Sequence, residues 1–259
     1  MADSESLHRI LNLSNTSSLK FLNVEGVEGL QFLHISPSLI GKMRAHQLEK
    51  LYFRGMKTLK ELLIGGTIVD SDWHFQSLDD FVLADLQQLE SIIWKGVVPH
   101  VFLPTLRFLV ITGCHSIKTL TWIKELPCLK EVYLIDCSSM LELVADDEVE
   151  GNMSTGAASF PHLKLLGLSQ LGDLQSICGG THSFPCLQRL LVYKCPTLVK
   201  LPSGLLTEER VPLILGRKDW WEQLCWEDSS VESTFFPFFR ELPANFRGNF
   251  VDVGKALVM

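Results

Sequence analysis

The sequence has little positive charge. Its 23 lysine and arginine residues are outnumbered by 30 aspartate and glutamate residues, which gives a formal net charge of −7 over 259 residues. The basic residues form no cluster, so general affinity for nucleic-acid phosphates is not expected. No apolar run approaches the roughly 18 residues that a membrane span requires. The sequence therefore predicts neither a nucleic-acid partner nor a membrane span.

Signals for export, metal binding and nucleotide binding are missing as well. The opening residues MADSESLHRI have neither the basic nor the apolar region of a secretory signal, so we expect a cytoplasmic protein. The seven cysteines include no CxxC pair and no Cys-His spacing of the zinc type, and they are predicted to be reduced thiols in a core. Without a GxxxxGK[ST] phosphate loop, nucleotide binding is not expected. We therefore predict no metal and no cofactor.

Groupings typical of catalysis are also lacking. The eight histidines are scattered, mostly in predicted loops, and none recurs at a fixed spacing from a carboxylate or a thiol. Cys114 and His115 are adjacent in the chain but are predicted to lie on opposite sides of a strand end, and such a pair is usually structural. We expect no enzymatic activity and assign no catalytic residue.

The chain does contain a recurring spacing. Residues 125–143, ELPCLKEVYLIDCSSMLEL, resemble residues 183–202, SFPCLQRLLVYKCPTLVKLP: in both, an apolar anchor is followed by apolar residues three, five, eight, eleven and fourteen positions later. The frame fits seven times, with anchors at Leu19, Leu48, Leu78, Leu106, Leu129, Leu163 and Leu187. All forty-two positions are apolar, whereas random placement in a chain of 46% hydrophobic content would give about 19.

This spacing is the leucine-rich-repeat signature. Its L-x-L centre alternates as a strand does, with one face inward, and the later leucines return across the outside of the coil. One repeat cannot bury its six apolar residues alone, so neighbouring repeats stack. We predict an α/β leucine-rich-repeat solenoid, or horseshoe, with a parallel β-sheet on the concave face and mostly loop or short helix on the convex face.

The frame divides the chain into four predicted parts. They are a lead-in or partial repeat (1–18), a solenoid of about seven repeats (19–205), a C-terminal cap (206–228) and a Phe-rich tail (229–259). In the cap, a strand from Val211 to Leu215 would precede a short helix whose Trp220 and Leu224 cover the last core layer. We favour a cap over an aromatic ligand box because the cluster falls where the solenoid needs closing. The tail either wraps the cap or is a poorly ordered appendage.

Residues two, four and six positions past each anchor are predicted to point outward over the concave face. The three tyrosines of the chain fall in this set, and with two phenylalanines they would form an aromatic stripe of the kind enriched in protein-recognition surfaces. The preference of tyrosine for strands explains their positions equally well. The candidate partner-binding residues are Phe21, Lys50, Tyr52, Arg54, Phe108, Glu131, Tyr133, Arg189 and Tyr193.

Three stretches carry a family resemblance, namely FPHLKLLGLSQLGDLQSI, FPCLQRLLVYKCPTLVKLP and GRKDWWEQLCWED. Together they resemble the C-terminal leucine-rich-repeat region of plant intracellular disease-resistance proteins of the coiled-coil, nucleotide-binding class. The resemblance spreads over about residues 19–228, and its WWE-x-L-x-WED ending is the more specific part. It implies a non-enzymatic sensor that binds a pathogen effector or a modified host protein and folds back on a nucleotide-binding domain to hold it inactive.

Other functions remain open at this stage. A generic binding scaffold or a substrate adaptor of a ubiquitin ligase fits the same repeats, although the adaptor would need an F-box-like module and about eighteen residues precede Leu19. An extracellular receptor would be expected to carry a signal peptide, cysteine-pair caps and a spanning helix. The sequence also leaves open whether the chain is a fragment, a truncated product or a free-standing protein.

Overall fold

A computed structural model of the chain describes residues 19–36, 47–66, 74–145, 159–179, 182–206, 211–226 and 228–247. The predicted lead-in, residues 1–18, lies outside the described residues, as do the last residues of the tail, 248–259. All seven predicted frames fall within the described part, so the solenoid prediction can be compared with the structure.

Each frame forms one strand that begins two residues after its anchor and ends six residues after it. These strands are β1 (Phe21–Glu25), β3 (Lys50–Arg54), β5 (Asp80–Ala84), β7 (Phe108–Thr112), β8 (Glu131–Ile135), β10 (Leu165–Ser169) and β12 (Arg189–Tyr193). Two later strands, β13 (Leu213–Gly216) and β14 (Phe239–Glu241), complete a nine-stranded sheet in the order β1-β3-β5-β7-β8-β10-β12-β13-β14. Every neighbouring pair is parallel.

The register brings equivalent frame positions side by side, so that Leu22 lies opposite Leu51 and Leu51 opposite Phe81. The inward face of the sheet therefore meets a continuous apolar core instead of seven separate ones. All frame positions are buried except four half-buried residues that pack against the same core: Leu19, Val27, Ile92 and Leu201. This confirms the predicted α/β leucine-rich-repeat solenoid and the inward direction of the frame.

The opposite side of the coil contains more β-structure than predicted. A three-stranded parallel sheet consists of β2 (Phe32–Ile35), β4 (Glu61–Gly65) and β6 (Ser91–Lys95), and a two-stranded one of β9 (Glu142–Val144) and β11 (Ser176–Cys178). The helical pieces here are short: α1 (Pro99–Phe102) and 3-10 helices at Thr121–Glu125 and Ser203–Leu205. In each repeat the chain runs back across this side of the coil, and these segments of neighbouring repeats lie side by side. Their backbone N–H and C=O groups pair with each other because burial would otherwise leave them without hydrogen bonds.

A left-handed residue follows the strand in each of the seven repeats. The residue seven positions past the anchor has φ between 54° and 69° in every case: Gly26, Gly55, Asp85, Gly113, Asp136, Gln170 and Lys194. From this conformation the backbone N–H donates to the next rung, as from Gly55 to the Ala84 carbonyl at 2.9 Å and from Gln170 to the Tyr193 carbonyl at 2.8 Å. The turn thus links successive repeats.

The cysteines that follow these turns are structural. Cys114, Cys137 and Cys195 are buried, as predicted, and the burial of Cys195 raises the pKa of its thiol to about 11. All seven cysteines are free, but the prediction that they all lie in a core is wrong for three of them: Cys128 and Cys186 are half-buried, and Cys225 is exposed.

Tryptophans close the C-terminal end of the core. Trp220, in α2 (Lys218–Glu222), donates its indole N–H to the Leu198 carbonyl at 2.9 Å. Trp221 and Leu224 are buried in the same core, although Leu224 lies beyond the helix and not on it. The strand β13 is not the last one, as the sequence had suggested, because β14 pairs with its free edge.

The described part of the tail is folded. Asp228 caps α3 (Ser229–Phe235) by accepting the backbone N–H groups of Ser230 and Val231 at 2.7 and 3.1 Å. A 3-10 helix, Phe236–Phe238, leads into β14, whose Phe239 stacks on Trp221 with ring centroids 4.3 Å apart. Part of this segment therefore packs against the tryptophans.

Candidate protein-binding site

The outward face of the nine-stranded sheet changes character along the solenoid. At its N-terminal end the outward residues are mostly polar and accessible. We call the following seven residues the exposed patch: Phe21, Asn23, Glu25, Lys50, Tyr52, Arg54 and Asp80. Towards the C-terminal end several outward residues are apolar and buried. The covered cluster consists of Tyr133, Leu165, Leu191, Leu215 and Leu242.

An aromatic contact organises the exposed patch. Phe21 meets the ring of Tyr52 edge-on, with centroids 4.9 Å apart, and 48% of Phe21 is exposed. The guanidinium carbon of Arg54 lies 4.9 Å from the centroid of the same tyrosine ring. Aromatic and arginine side chains in contact are the composition most often found in the energetic centre of protein interfaces. The patch therefore combines accessible apolar area with an oriented cation.

The charges of the exposed patch are partly paired. The Lys50 Nζ lies 2.7 Å from the Asp80 carboxylate, and this hydrogen bond raises the pKa of Lys50. The Tyr52 hydroxyl makes a longer contact of 3.4 Å with the same carboxylate, and burial is the main cause of its raised pKa. Arg54 makes no ion pair with a described residue, and its Nε is buried without a hydrogen-bond partner. Arg54 is thus the cation of the patch without an ion pair to a described residue, whereas Lys50 is more exposed but paired with Asp80.

The covered cluster is a second hydrophobic core on the opposite face of the same sheet. Leu191 and Leu242 are each 1% exposed. Leu191 is therefore buried even though it points away from the main core. Leu242 comes from the segment after β14 and is fixed by its N–H, which donates to the Gly216 carbonyl at 2.8 Å. Phe246 packs edge-on against Tyr193 with centroids 5.0 Å apart. The tail therefore covers this end of the concave face.

Tyr133 lies inside the covered cluster and is 8% exposed, so its prediction as an accessible binding residue is wrong. Its hydroxyl donates to the Glu131 carboxylate at 2.7 Å. Burial is the main cause that raises the pKa of Tyr133 well above its ordinary value, and the Glu131 charge adds to it. The neighbouring outward residue Ser169 is fully buried, and its hydroxyl has no hydrogen-bond partner among the described residues.

The predicted aromatic stripe is not continuous. Tyr52 and Tyr133 lie in one row across the sheet but are separated by Val82 and Val110. Tyr193 belongs to another row, opposite Ser169. Of the predicted residues, the structure brings together Phe21, Lys50, Tyr52 and Arg54. It places Phe108 apart, and Glu131, Tyr133, Arg189 and Tyr193 in or beside the covered region.

A cleft of about 530 Å³ lies at the rim of the sheet, where strands β5, β7 and β8 begin, and Asp79, Arg107, Lys130 and His162 contribute to its lining. The Arg107 guanidinium binds the Asp79 carboxylate through two nitrogens and passes 5.8 Å from the Phe108 ring. Lys130 adds a positive charge to the cleft beyond this ion pair. The residues that line the rim lie one position before or one position after an anchor. The predictions from the sequence concerned only the face of the sheet and did not include this cleft.

Two searches of the described residues bear on function. In those ranges no three histidine, cysteine or acidic side chains converge in a way that could hold a metal ion. Across the same ranges each helix is too short or too polar to traverse a lipid bilayer.

Comparison with known proteins agrees with the repeat geometry. Residues 77–208, just over half of the chain, match the family described as "Plant disease resistance protein RPS2-like, leucine-rich repeats". The chain is 32% identical over 177 residues to the probable disease resistance protein At5g63020 of Arabidopsis thaliana, a match that covers 63% of this chain and 20% of that protein.

Two further relatives come from the same plant. Disease resistance protein SUMM2 is 32% identical over 142 residues, which cover 54% of this chain and 16% of that protein. Disease resistance protein At4g27190 is 28% identical over 256 residues, covering 89% of this chain and 24% of that protein. The chain thus spans no more than 24% of the length of these curated relatives.

The stacked repeats, the continuous core and the parallel sheet define a leucine-rich-repeat protein. Within that class, the chain belongs to the family of leucine-rich repeats of RPS2-like plant disease resistance proteins. The relatives that it matches are disease resistance proteins, and the chain corresponds to a leucine-rich-repeat part of such proteins.

Proposed function

We propose that this chain is a cytoplasmic recognition module that acts by binding and not by catalysis, and that the exposed patch contacts its protein partner. The observation that carries the proposal is the cluster of Phe21, Tyr52 and Arg54, which presents accessible aromatic area beside an arginine. Interfaces concentrate binding energy in such residues. Family membership supports the partner class, which is a pathogen effector or a host protein altered by one.

The nucleotide-binding domain of a resistance protein is a further proposed partner of the same module. The resemblance of the repeats to those of receptors with such a switch domain supports this assignment. Contact with the module would hold the switch inactive, and an effector that competes for the contact would release it. The same surface variants therefore test both partner classes.

The proposal is tested by measuring the dissociation constants of candidate effectors and of nucleotide-binding domains from this family with the full chain. The test variants are Arg54→Ala and Phe21→Ala. We expect each to weaken binding at least about tenfold, since interface anchors of these types commonly account for more than 1.4 kcal/mol.

Lys57→Ala provides the matched control, because Lys57 is exposed in the turn after β3 and lies outside the patch. Its binding should stay within about twofold of wild type, as expected for a peripheral charge. A partner that binds all three variants equally well would refute the assignment of the patch. Failure of every tested protein of both classes to bind at micromolar concentration would refute the partner class.

A further inference from the structure

The concave face near the C-terminus already holds a short segment of the chain's own polypeptide. Residues 242–247 follow β14 and cross the outward side of the sheet, where Leu242 joins the covered cluster and Phe246 packs on Tyr193. The floor below them is apolar, since Leu165, Leu191 and Leu215 all point outward here. An outward sheet face with such a floor would expose a large apolar area without this cover.

The described backbone contacts that join this segment to the sheet are short in extent. Its backbone is fixed by the short β13–β14 ladder, by the hydrogen bond from Leu242 to Gly216, and by a turn in which the Phe246 N–H donates to the Pro243 carbonyl at 2.9 Å. The guanidinium of Arg217 adds a long contact of 3.5 Å to the Leu242 carbonyl. Between the two seated side chains, residues 243–245 are exposed. By contrast, the repeat strands pair over five register positions on both sides, as β10 does with β8 and β12.

We infer that this end of the concave face is a binding surface for a peptide that carries an aliphatic residue and, across a tight turn, an aromatic residue four positions later. The chain's own residues 242–246 occupy it as an intramolecular ligand. A partner segment of the same pattern binds there when it displaces them. The chemistry of this partner is read from the segment that the surface already accommodates: two apolar side chains on either side of an exposed turn formed by Pro243, Ala244 and Asn245.

The inference concerns a different surface from the exposed patch and does not depend on the proposed function. Arg54 and Phe21 lie on the first strands of the sheet, whereas the covered cluster begins at β8. Substitution of Arg54 is therefore expected to leave peptide binding unchanged, and either proposal can fail without the other.

The test uses the full chain with the double substitution Leu242→Glu and Phe246→Ser, which removes the two seated side chains from their sites. The probe is a fluorescent peptide of residues 241–247, ELPANFR, measured by fluorescence polarisation. We expect the double variant to bind this peptide at least tenfold more tightly than the wild-type chain does. A peptide carrying the same two substitutions should bind neither protein.

The substitution Phe236→Ser is the matched control, because this phenylalanine belongs to the same tail but is 63% exposed and lies outside the covered cluster. It should bind the peptide as weakly as wild type. Circular dichroism and thermal unfolding establish that the variants are folded. If the double variant does not fold, the single substitution Phe246→Ser is used, with a smaller but still measurable gain in peptide binding.

Two results would overturn the inference. One is a folded variant that binds the peptide no better than wild type does. The other is a wild-type dimer, detected by sedimentation at the concentrations of the assay, in which the segment of one copy occupies the face of another. The second result would mean that the segment is an assembly element and does not close its own chain's surface.

Discussion

The two ends of the concave face are built on the same strand frame yet differ in what they offer to solvent. At the first end, Lys50 is exposed and Tyr52 and Arg54 are half-buried along one strand. At the other end, all five residues of β10 are buried. The inward residues are alike in both regions, so the difference lies wholly in the outward positions and in what covers them.

The comparison teaches that strand direction and accessibility are separate properties. Leu165 and Leu191 point outward, as Lys50 does. The segment after β14 covers them, and together with this segment they form a second hydrophobic core. A leucine-rich-repeat surface can therefore be divided between an open region and one that its own chain occupies. Three predictions test this division, beginning with the largest effect.

The first prediction compares Leu191→Ala with Val82→Ala, two truncations at outward positions of the same row. Leu191 is 1% exposed, so its truncation should lower the free energy of unfolding by about 2–4 kcal/mol. Val82 is half-buried and uncovered by the tail, so its truncation should cost about 1 kcal/mol or less. Chemical denaturation measures both. Equal losses would mean that the two regions do not differ in burial.

The second prediction uses pH. The pKa of Tyr133 is raised in the folded state, mainly by burial, so its contribution to stability is complete below about pH 10 and is lost as the pH rises towards the folded value. The unfolding free energy of the wild-type chain should therefore fall as the pH rises above about 10. We expect it to fall less steeply in Tyr133→Phe, by up to ~1.4 kcal/mol per pH unit. Urea denaturation at a series of pH values above 9 provides the measurement.

Tyr52→Phe is the comparison from the exposed patch. The pKa of Tyr52 is raised as well, mainly by burial, but the residue is only half-buried and solvent screens the charges around it. The slope of its stability against pH should therefore change less. A larger change for Tyr52 than for Tyr133 would contradict the assignment of Tyr133 to the covered cluster.

The third prediction compares the turns of the two regions. Gly55 follows β3 with φ of 64°, whereas Gln170 follows β10 with φ of 56°, and only glycine adopts this conformation without strain. Gln170→Gly should therefore raise the unfolding free energy by about 0.5–1 kcal/mol, while Gly55→Ala should lower it by about 1–2 kcal/mol. Thermal unfolding of both variants provides the check. A loss of stability in Gln170→Gly would show that its side chain makes a compensating contact.

Much of the fold could be predicted from the spacing of apolar residues. The anchors gave the bounds of the seven repeat strands and the inward direction of Leu190 and its equivalents, because a strand alternates its side chains with a period of two. The left-handed turn could be anticipated at Gly26 and Gly55 but not at Gln170 or Lys194, whose residue types do not indicate it. The strands on the opposite side were missed because their pairing depends on how successive repeats align.

The candidate site could be predicted only in part. Phe21, Tyr52 and Arg54 were found because their positions relative to the anchors place them outward on adjacent strands. Tyr133 was predicted by the same rule and proved buried. The rule predicts on which face of the sheet a residue lies. Whether Tyr133 is buried on that face depends on its contacts with Leu242 and other residues, and no local sequence pattern relates these residues to Tyr133.

By itself the sequence determined the coil, its inward face and the direction of every outward side chain in the seven repeats, because these follow from local spacing and from the requirement that each apolar layer be covered by the next. Only the tertiary structure decided which outward residues meet solvent. The physical reason is that apolar burial is non-directional and joins any surfaces that the chain can bring together. Here it brings Leu242 and Phe246 over one end of the face and leaves the region around Arg54 open.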